Sequence, residues 1–269
     1  MKRTHFTPAK SYHSTSQDST TSEKDRKCIL LHRSGFTLQS RKNTISFYTK
    51  HAVEWRQSLE KIVVFSKFKT EYKTEKMLGK GKYAQVNLVV KNGMQFASKS
   101  IEKAKLMENK RTFSTLFNEI SVLRDLDHDL VIKLYEVYES KHYVHLILEY
   151  LKGGELFFKI KRNGSFTEGI ACEIMKELLK AIEYLHTNNV IHRDLKPENI
   201  ILMYEFLIRN DETNKFKIAD FGLADYSNKH LKLKCGSPGY VAPEIWTKKG
   251  YGVSVDIFSV GIIMHILYD

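Results

Sequence analysis

The octapeptide His-Arg-Asp-Leu-Lys-Pro-Glu-Asn at residues 192–199 limits what this chain can fold into more than any other feature. Its spacing suits phosphoryl transfer, with Asp194 accepting a hydroxyl proton, Lys196 contacting the transferred phosphate and Asn199 holding Mg²⁺. A polar surface loop is the alternative interpretation. An apolar run directly behind the octapeptide and an Asp-Phe-Gly tripeptide at 220–222 favour the catalytic one.

The order of predicted elements supports a two-lobed fold. Short strands and turn residues alternate from Tyr72, and helical patterns dominate after Gly154. Asn92-Gly93 predicts a hairpin turn between strands at 86–90 and 95–101. The sequence therefore predicts an α+β bilobal fold, with a β-rich lobe followed by an α-rich lobe.

Further elements follow from apolar periodicity. Strands are predicted at 132–137 and 143–150, and helices at 111–125 and 167–186, with Thr167 as a possible N-cap. The first of these helices places five apolar side chains on one stripe: Phe113, Leu116, Phe117, Ile120 and Leu123.

The basic charge of the chain is concentrated near its start. Residues 1–70 contain 14 Lys and Arg against five Asp and Glu, whereas the remainder contains 29 against 26. We predict a disordered basic tail at 1–28 that could attract acidic membrane lipids, and we expect no specific nucleic-acid partner. Three scattered cysteines fit a reducing compartment, and the longest apolar run, 257–268, is too short to span a bilayer. A cytoplasmic protein, peripheral at membranes, is expected.

Residues 29–70 form a separate predicted segment. It contains a strand at 44–48 and a helix at 51–64 that carries Trp55. A strand followed by such a helix resembles the C-terminal end of a pleckstrin-homology domain, which implies phosphoinositide binding. An amphipathic helix that docks on the following domain is the alternative.

The segment Leu78-Gly79-Lys80-Gly81-Lys82-Tyr83 is predicted to cover a nucleotide. Gly79 and Gly81 would let the backbone approach phosphate oxygens closely, and Tyr83 could cover them from the tip of the loop. Ala84 stands where a third glycine is usual. Farther along, Lys99 on the third strand could pair with the α- and β-phosphates, with Glu119 on the following helix as its partner.

These motifs together resemble the eukaryotic protein kinase family over residues 72–269. Lys196 after Asp194 is typical of Ser/Thr specificity, and the segment 235–244 resembles the calcium/calmodulin-dependent kinase group. The resemblance implies an ATP-dependent enzyme that transfers the γ-phosphate of Mg-ATP to Ser or Thr hydroxyls of proteins. Residues 71–269 are the predicted kinase domain.

The resemblance also implies roles for individual residues. Asn199 and Asp220 would hold Mg²⁺, and Asp194, Lys196, Lys99 and Glu119 would be catalytic. The predicted nucleotide contacts are Leu78, Gly79, Gly81, Tyr83, Val86, Ala97, Lys99, Leu148, Glu149, Leu151 and Ile201. Glu155 and Glu198 lie where basophilic relatives recognise an arginine upstream of the phosphoacceptor. Leu123, Leu134, His192 and Phe221 correspond to the internal spine of the family.

The activation segment, residues 222–235, departs from its relatives. Leu233 and Lys234 occupy the region of the usual phosphothreonine, and Tyr226 and Ser227 are its only hydroxyls. We therefore expect that the usual phosphorylation does not switch this segment.

The resemblance places Asp256 at the start of the central helix of the large lobe, where it supports the catalytic loop. The chain ends with that helix, so the sequence predicts an incomplete large lobe. There are two alternative functions. One is a catalytically weak or inactive nucleotide-binding scaffold, and the other is a membrane-tethering module based on the basic leader.

Overall fold

The computed structural model describes residues 28–32, 35–39, 44–48, 64–81, 84–107, 110–204, 215–229, 231–247 and 249–268. Tyr83 and the greater part of the helix predicted at 51–64 lie outside the described residues. Within them, no helix is long and apolar enough to cross a membrane.

The small lobe is built on one sheet, with helices packed against it. Its strands are β1 (Cys28–His32), β2 (Gly35–Gln39), β3 (Thr44–Tyr48), β4 (Val64–Phe65), β5 (Lys73–Lys80), β6 (Ala84–Lys91), β7 (Met94–Glu102), β8 (Leu134–Glu139) and β9 (Tyr143–Glu149). Their order in the sheet is β3-β2-β1-β4-β8-β9-β7-β6-β5. The helices are α1 (Phe68–Glu71), α2 (Lys103–Met107) and α3 (Lys110–Asp125).

Residues before the predicted kinase domain extend this sheet. Strands β1, β2 and β3 form an antiparallel meander, and β1 pairs in parallel with β4, which pairs in parallel with β8 at Tyr138. The predicted strand at 44–48 is confirmed, whereas β1 and β2 were not predicted. The pleckstrin-homology resemblance stays a prediction.

The hairpin predicted at Asn92-Gly93 is confirmed. Asn92 and Gly93 have φ of 52° and 77°, the left-handed values that a type I′ turn requires, and they join β6 to β7 in full register. Lys99 on β7 therefore lies between Val86 on β6 and Leu146 on β9, in the interior of the sheet.

The large lobe is mostly helical. Its helices are α4 (Leu156–Asn163), α5 (Glu168–Thr187) and α6 (Ser254–Tyr268), and its short strands are β10 (Val190–Ile191), β11 (Ile200–Leu202), β12 (Phe216–Ile218) and β13 (Asp225–Tyr226). Thr167 has extended backbone angles before α5, as an N-cap should, but its side chain makes no capping hydrogen bond. The predicted α+β bilobal fold is confirmed.

A continuous hydrophobic core includes residues of both the small and the large lobe. Leu123 of α3 and Phe221 lie in the same buried cluster as the inner face of α5, and Leu134 packs against it. The His192 and Phe221 rings are in contact, with centroids 4.9 Å apart. Phe117 is 44% exposed, contrary to the predicted stripe, because one residue of helix rotates it about 100° away from buried Leu116.

Candidate active site

The loop at 192–199 is held by a buried carboxylate from another helix. Asp256, in the first turn of α6, is fully buried and accepts the backbone N–H groups of His192 and Arg193, both at 2.9 Å. The Nε2 of His186 lies 3.0 Å from the same carboxylate. A buried charge is tolerated only with such partners, so the contacts fix the loop to the helix as the sequence predicts.

Both carboxylate oxygens of Asp194 are engaged. The hydroxyl of Ser237 donates to Oδ1 at 2.7 Å, while Lys196 Nζ lies 3.0 Å from Oδ2. Asn199 Nδ2 donates to the Asp194 carbonyl oxygen at 2.8 Å, and Lys196 Nζ also donates to Ser237 Oγ at 2.7 Å. The structure thus brings three predicted residues together and adds Ser237, which the sequence reasoning missed.

Lys99 bridges two carboxylates. Its Nζ lies 2.6 Å from Glu119 Oε1 on α3 and 2.7 Å from Asp220 Oδ1. Glu119 points inward because its neighbours on α3, Leu116 and Ile120, pack against the sheet side of the helix. The predicted pair between Lys99 and Glu119 is therefore formed.

The charges in this group depend on one another. Burial alone would lower the pKa of Lys99, but the carboxylates of Glu119 and Asp220 outweigh it and raise that pKa above its ordinary value. The Lys99 ammonium lowers the pKa of Asp220 to about 2, against the effect of burial. Burial raises the pKa of Glu119, and Lys99 opposes that rise. Lys99 is thus held as a cation and Asp220 as an anion.

The backbone around Asp220 is strained and tightly packed. Asp220 has φ of 59° and ψ of 71°, a left-handed conformation that costs about 1–3 kcal/mol for a residue other than glycine. At Gly222, a Cβ atom would lie 3.2 Å from Asp220 Oδ1 and 3.7 Å from Glu119 Oε2. Glycine at this position leaves the carboxylates room to reach Lys99.

Asn199 and Asp220 offer oxygen ligands on adjacent segments. The Ala219 N–H donates to the Asn199 carbonyl at 2.8 Å, which ties the two segments together. A carboxylate and an amide oxygen fit Mg²⁺, which takes few protein ligands and completes its shell with phosphate and water. Among the described residues, no group of three or more Asp, Glu, His and Cys could hold a metal. Phosphate oxygens would have to supply the remaining ligands.

The predicted nucleotide wall comes from both lobes. Four of these residues are half-buried on the small-lobe side or in the hinge, the segment 148–151 that leads from the end of β9 into the large lobe: Val86, Ala97, Leu148 and Leu151. Ile201, also half-buried, lies on β11 of the large lobe. Ala97 pairs with Leu148 across β7 and β9. The predicted wall residues are thus neither sealed in the core nor fully exposed.

The glycine segment and Glu149 in the hinge make local contacts within the small lobe and with the large lobe. Gly79 pairs with Val86, and the Gly81 N–H donates to the Ala84 carbonyl at 2.8 Å, so Gly81 and Ala84 lie close together at the ends of β5 and β6. Leu78 is exposed. The Glu149 carboxylate lies 2.9 Å from Lys217 Nζ, and the Glu149 N–H donates to the Lys133 carbonyl at 2.9 Å, so protein groups engage both of them.

Glu155 and Glu198 form an acidic pair beside the catalytic loop. Burial and the nearby charge of Glu198 raise the pKa of Glu155. The Oε2 atom of Glu198 is buried and has no hydrogen-bond partner among the described residues. Since an unpaired buried carboxylate oxygen is costly, this position suits a cationic donor from outside the chain.

The Arg193 side chain is only 3% exposed and is already occupied. Its Nε donates to the Leu223 carbonyl at 2.6 Å, Nη1 to the Tyr251 hydroxyl at 3.2 Å and Nη2 to the Asp225 carboxylate at 3.4 Å. The Tyr251 hydroxyl in turn donates to the Leu233 carbonyl at 2.6 Å. Protein groups thus surround the guanidinium, and Asp225 and Tyr251 are further site residues that the sequence reasoning missed.

A β-rich lobe with a paired lysine, a catalytic loop anchored by Asp256 and an Asp-Phe-Gly segment between the lobes define the class of protein kinase folds. The sequence model of the protein kinase domain family matches residues 72–269, and the chain belongs to this family.

The relatives are Ser/Thr kinases. The chain is 44% identical over 200 residues to a Plasmodium falciparum protein named probable serine/threonine-protein kinase 2, covering 73% of this chain and 37% of the relative. It is 39% identical over 201 residues to calcium/calmodulin-dependent protein kinase type 1 of Caenorhabditis elegans, covering 73% of this chain and 56% of the relative. The chain therefore spans between about a third and somewhat over half of these relatives. The predicted likeness to the calcium/calmodulin-dependent group is confirmed.

Proposed function

We propose that this protein is an ATP-dependent protein Ser/Thr kinase. The observation that carries the proposal is the Asp194 carboxylate, which Ser237, Lys196 and Asn199 hold at the mouth of a site where Lys99 is already paired with Glu119. These contacts support a site with a base, a neighbouring cation and a paired lysine, so that positioning and charge stabilisation would supply the catalysis.

The residues divide the chemistry among them. A substrate Ser or Thr hydroxyl oxygen attacks the γ-phosphorus, the bond from that phosphorus to the β–γ bridging oxygen breaks, and ADP leaves. Asp194 orients the hydroxyl and accepts its proton, while Lys196 stabilises the charge on the transferred group. Lys99 fixes the α- and β-phosphates. Asn199 and Asp220 would hold Mg²⁺, which neutralises charge on the phosphates.

Ser237 supports a Ser/Thr acceptor. Its hydroxyl contacts both Asp194 and Lys196, which fixes the distance between the general base and the cation that contacts phosphate. The relatives named serine/threonine-protein kinases agree with this assignment.

We infer that the preferred substrates carry an arginine upstream of the phosphoacceptor. The acidic pair Glu155 and Glu198 includes a buried oxygen without a partner in the described part of the chain, and a guanidinium would satisfy both carboxylates. A peptide library should select Arg with the wild-type protein and lose that selection with Glu198→Gln. Absence of upstream Arg selection by the wild type would refute the inference.

The basic residues at 1–70 support a second, independent proposal of peripheral attachment to acidic membranes. Flotation with phosphatidylserine-containing liposomes, compared with neutral liposomes, tests it. Equal recovery from both would reject it, with no bearing on the kinase activity.

The kinase activity is tested by phosphate transfer from radiolabelled ATP to a mixed peptide substrate. Loss of the general base in Asp194→Asn should lower the rate by about 10²–10⁴-fold. Asp129→Asn, a matched change at an exposed position outside the loop, should leave the rate unchanged. Equal background signals from the wild type and Asp194→Asn would reject catalysis and favour a nucleotide-binding scaffold.

A further inference from the structure

A second cavity lies on the outer face of the small-lobe sheet. It has a volume of about 480 Å³, and Ser100 of β7 and Asn87 of β6 are among its lining residues. Because successive side chains of a strand point to opposite faces, Ser100 points away from the site that contains Lys99. The phosphotransfer chemistry uses no side chain of this cavity.

The cavity carries an excess of positive charge. Lys67, Lys69 and Lys141 line it and are exposed, and no carboxylate is among its lining residues. Within the described ranges these three ammonium groups have no ion pair, whereas Lys91 and Lys103 of the same lobe are each paired with glutamates. Three like charges around one concavity repel each other unless an anion joins them.

The wall between the lysines combines apolar surface, including Phe68 and Tyr143, with hydrogen-bonded polar groups. The His145 ring is fixed at both nitrogens, since Nδ1 lies 2.8 Å from Ser100 Oγ and Nε2 lies 3.3 Å from Ser140 Oγ. The Phe68 ring stacks on it at 4.0 Å between centroids. Burial and the charge of Lys69 lower the pKa of His145 to about 4, so the ring is neutral near pH 7. The ring therefore adds no charge of its own. The Ser140 hydroxyl donates to the Tyr143 carbonyl at 3.0 Å and Ser100 is hydrogen-bonded to His145, so the lysines are the charged donors that face the cavity.

We propose that this cavity binds a small ligand bearing several phosphate groups, of the class of the inositol phosphates, either free or as a lipid headgroup. Ammonium groups are strong donors to phosphate oxygens, and the lysines can contact separate phosphates of one ligand. The volume falls in the range of small-molecule sites, about 300–1,000 Å³. The site is separate from the nucleotide, so this proposal does not rest on the kinase activity.

Calorimetric titration of the full chain with inositol trisphosphate tests the proposal. The double variant Lys69→Gln/Lys141→Gln should weaken binding by about tenfold or more, because each charge-assisted contact is lost. The control Lys176→Gln/Lys249→Gln removes the same charge at exposed positions outside the cavity and should bind like the wild type. Absence of wild-type binding, or equal weakening in both variants, would overturn the proposal.

Hydrogen exchange locates the ligand independently of any variant. Inositol trisphosphate should protect backbone amides in 67–74 and 140–145, and protection confined to other segments would contradict the proposal. Flotation with phosphatidylcholine vesicles containing phosphatidylinositol bisphosphate distinguishes a lipid headgroup from a free inositol phosphate as the ligand. Flotation that free inositol trisphosphate abolishes identifies a headgroup ligand, and binding of the free ligand without flotation identifies a soluble one.

Discussion

Asp256 and Arg193 are joined by a hydrogen bond from the Arg193 backbone N–H to Asp256 Oδ1, 2.9 Å long and spanning 63 residues of sequence. The second carboxylate oxygen accepts the N–H of His192 at 2.9 Å. Arg193 has φ of 66°, a strained value that these contacts help to maintain. The position of Asp194 therefore depends on a helix that begins about 60 residues later in the chain.

The first prediction concerns this link. Asp256→Asn keeps the shape but replaces one acceptor oxygen by an NH₂ group, so one buried N–H of the loop loses its partner. We expect a loss of about 1–3 kcal/mol in the free energy of unfolding, together with a lower kcat for peptide phosphorylation. Urea unfolding and steady-state kinetics measure the two effects. Glu183→Gln, at an exposed position of α5, is the control, and wild-type values for Asp256→Asn would show that the link is dispensable.

The second prediction concerns Ser237. Removal of the hydroxyl in Ser237→Ala leaves Oδ1 of Asp194 without its 2.7 Å donor and removes the contact of Lys196 with the segment 235–244. A hydrogen bond to a charged group contributes about 1.5–3 kcal/mol, so kcat should fall by about tenfold or more. Ser237→Thr retains the hydroxyl and should restore most of the rate. If Ser237→Ala and Ser237→Thr gave equal rates, the hydroxyl would have no part in positioning Asp194.

The two residues that the sequence reasoning missed most clearly, Ser237 and Asp225, share a physical cause. Their partners lie 43 and 32 residues away, and neither residue type is unusual in a loop, so no local pattern marks them. By contrast, the hairpin at Asn92-Gly93 could be predicted because the left-handed backbone itself requires those residue types. The pair of Lys99 and Glu119 could be predicted from the order of the motifs together with the apolar stripe of α3.

The strands β1 and β2 could not be predicted for a different reason. Strand β1 pairs in parallel with β4, whereas β2 pairs antiparallel with β1 and β3. The residues between β1 and β2, Arg33-Ser34, are not of the types that mark a hairpin turn. Parallel pairing leaves no turn signature in the sequence, whereas the antiparallel neighbours β6 and β7 are joined by one. Strand propensity alone therefore predicted β3 but not the strand with which it pairs.

The third prediction concerns acid stability. The pKa of Asp220 is lowered from 3.8 to about 2 by Lys99, so its ionised form contributes stability above pH 3.8 that is lost as the pH falls toward 2. Asp220→Asn cannot titrate. The difference in unfolding free energy between wild type and Asp220→Asn should therefore shrink over this window. Chemical denaturation at a series of pH values measures it, with Asp129→Asn as the control. A difference that stays constant between pH 3.8 and about 2 would contradict the assigned pKa.

The last prediction concerns the activation segment. The Arg193 guanidinium is already held by Asp225 and Tyr251, so a phosphate is not needed to neutralise it. Ser227→Ala should keep the phosphotransfer rate within about twofold of wild type. Within the described part of the chain its hydroxyl has one hydrogen-bond contact, to Asn189 Oδ1 at 3.5 Å, which is at the limit of a hydrogen bond.

Asp225→Asn provides the contrast to Ser227→Ala. It removes the carboxylate charge that faces Arg193 at 3.4 Å, which leaves a buried guanidinium short of a counter-charge. We expect a lower rate and a lower free energy of unfolding than in Ser227→Ala, measured on the same preparations by peptide phosphorylation and urea unfolding. Mass spectrometry measures how much phosphate the segment carries in wild-type preparations, and we expect the phosphotransfer rate not to rise with that amount. Stoichiometric phosphate at Ser227 that raises the rate would show instead that Asp225 is an incomplete substitute for phosphorylation.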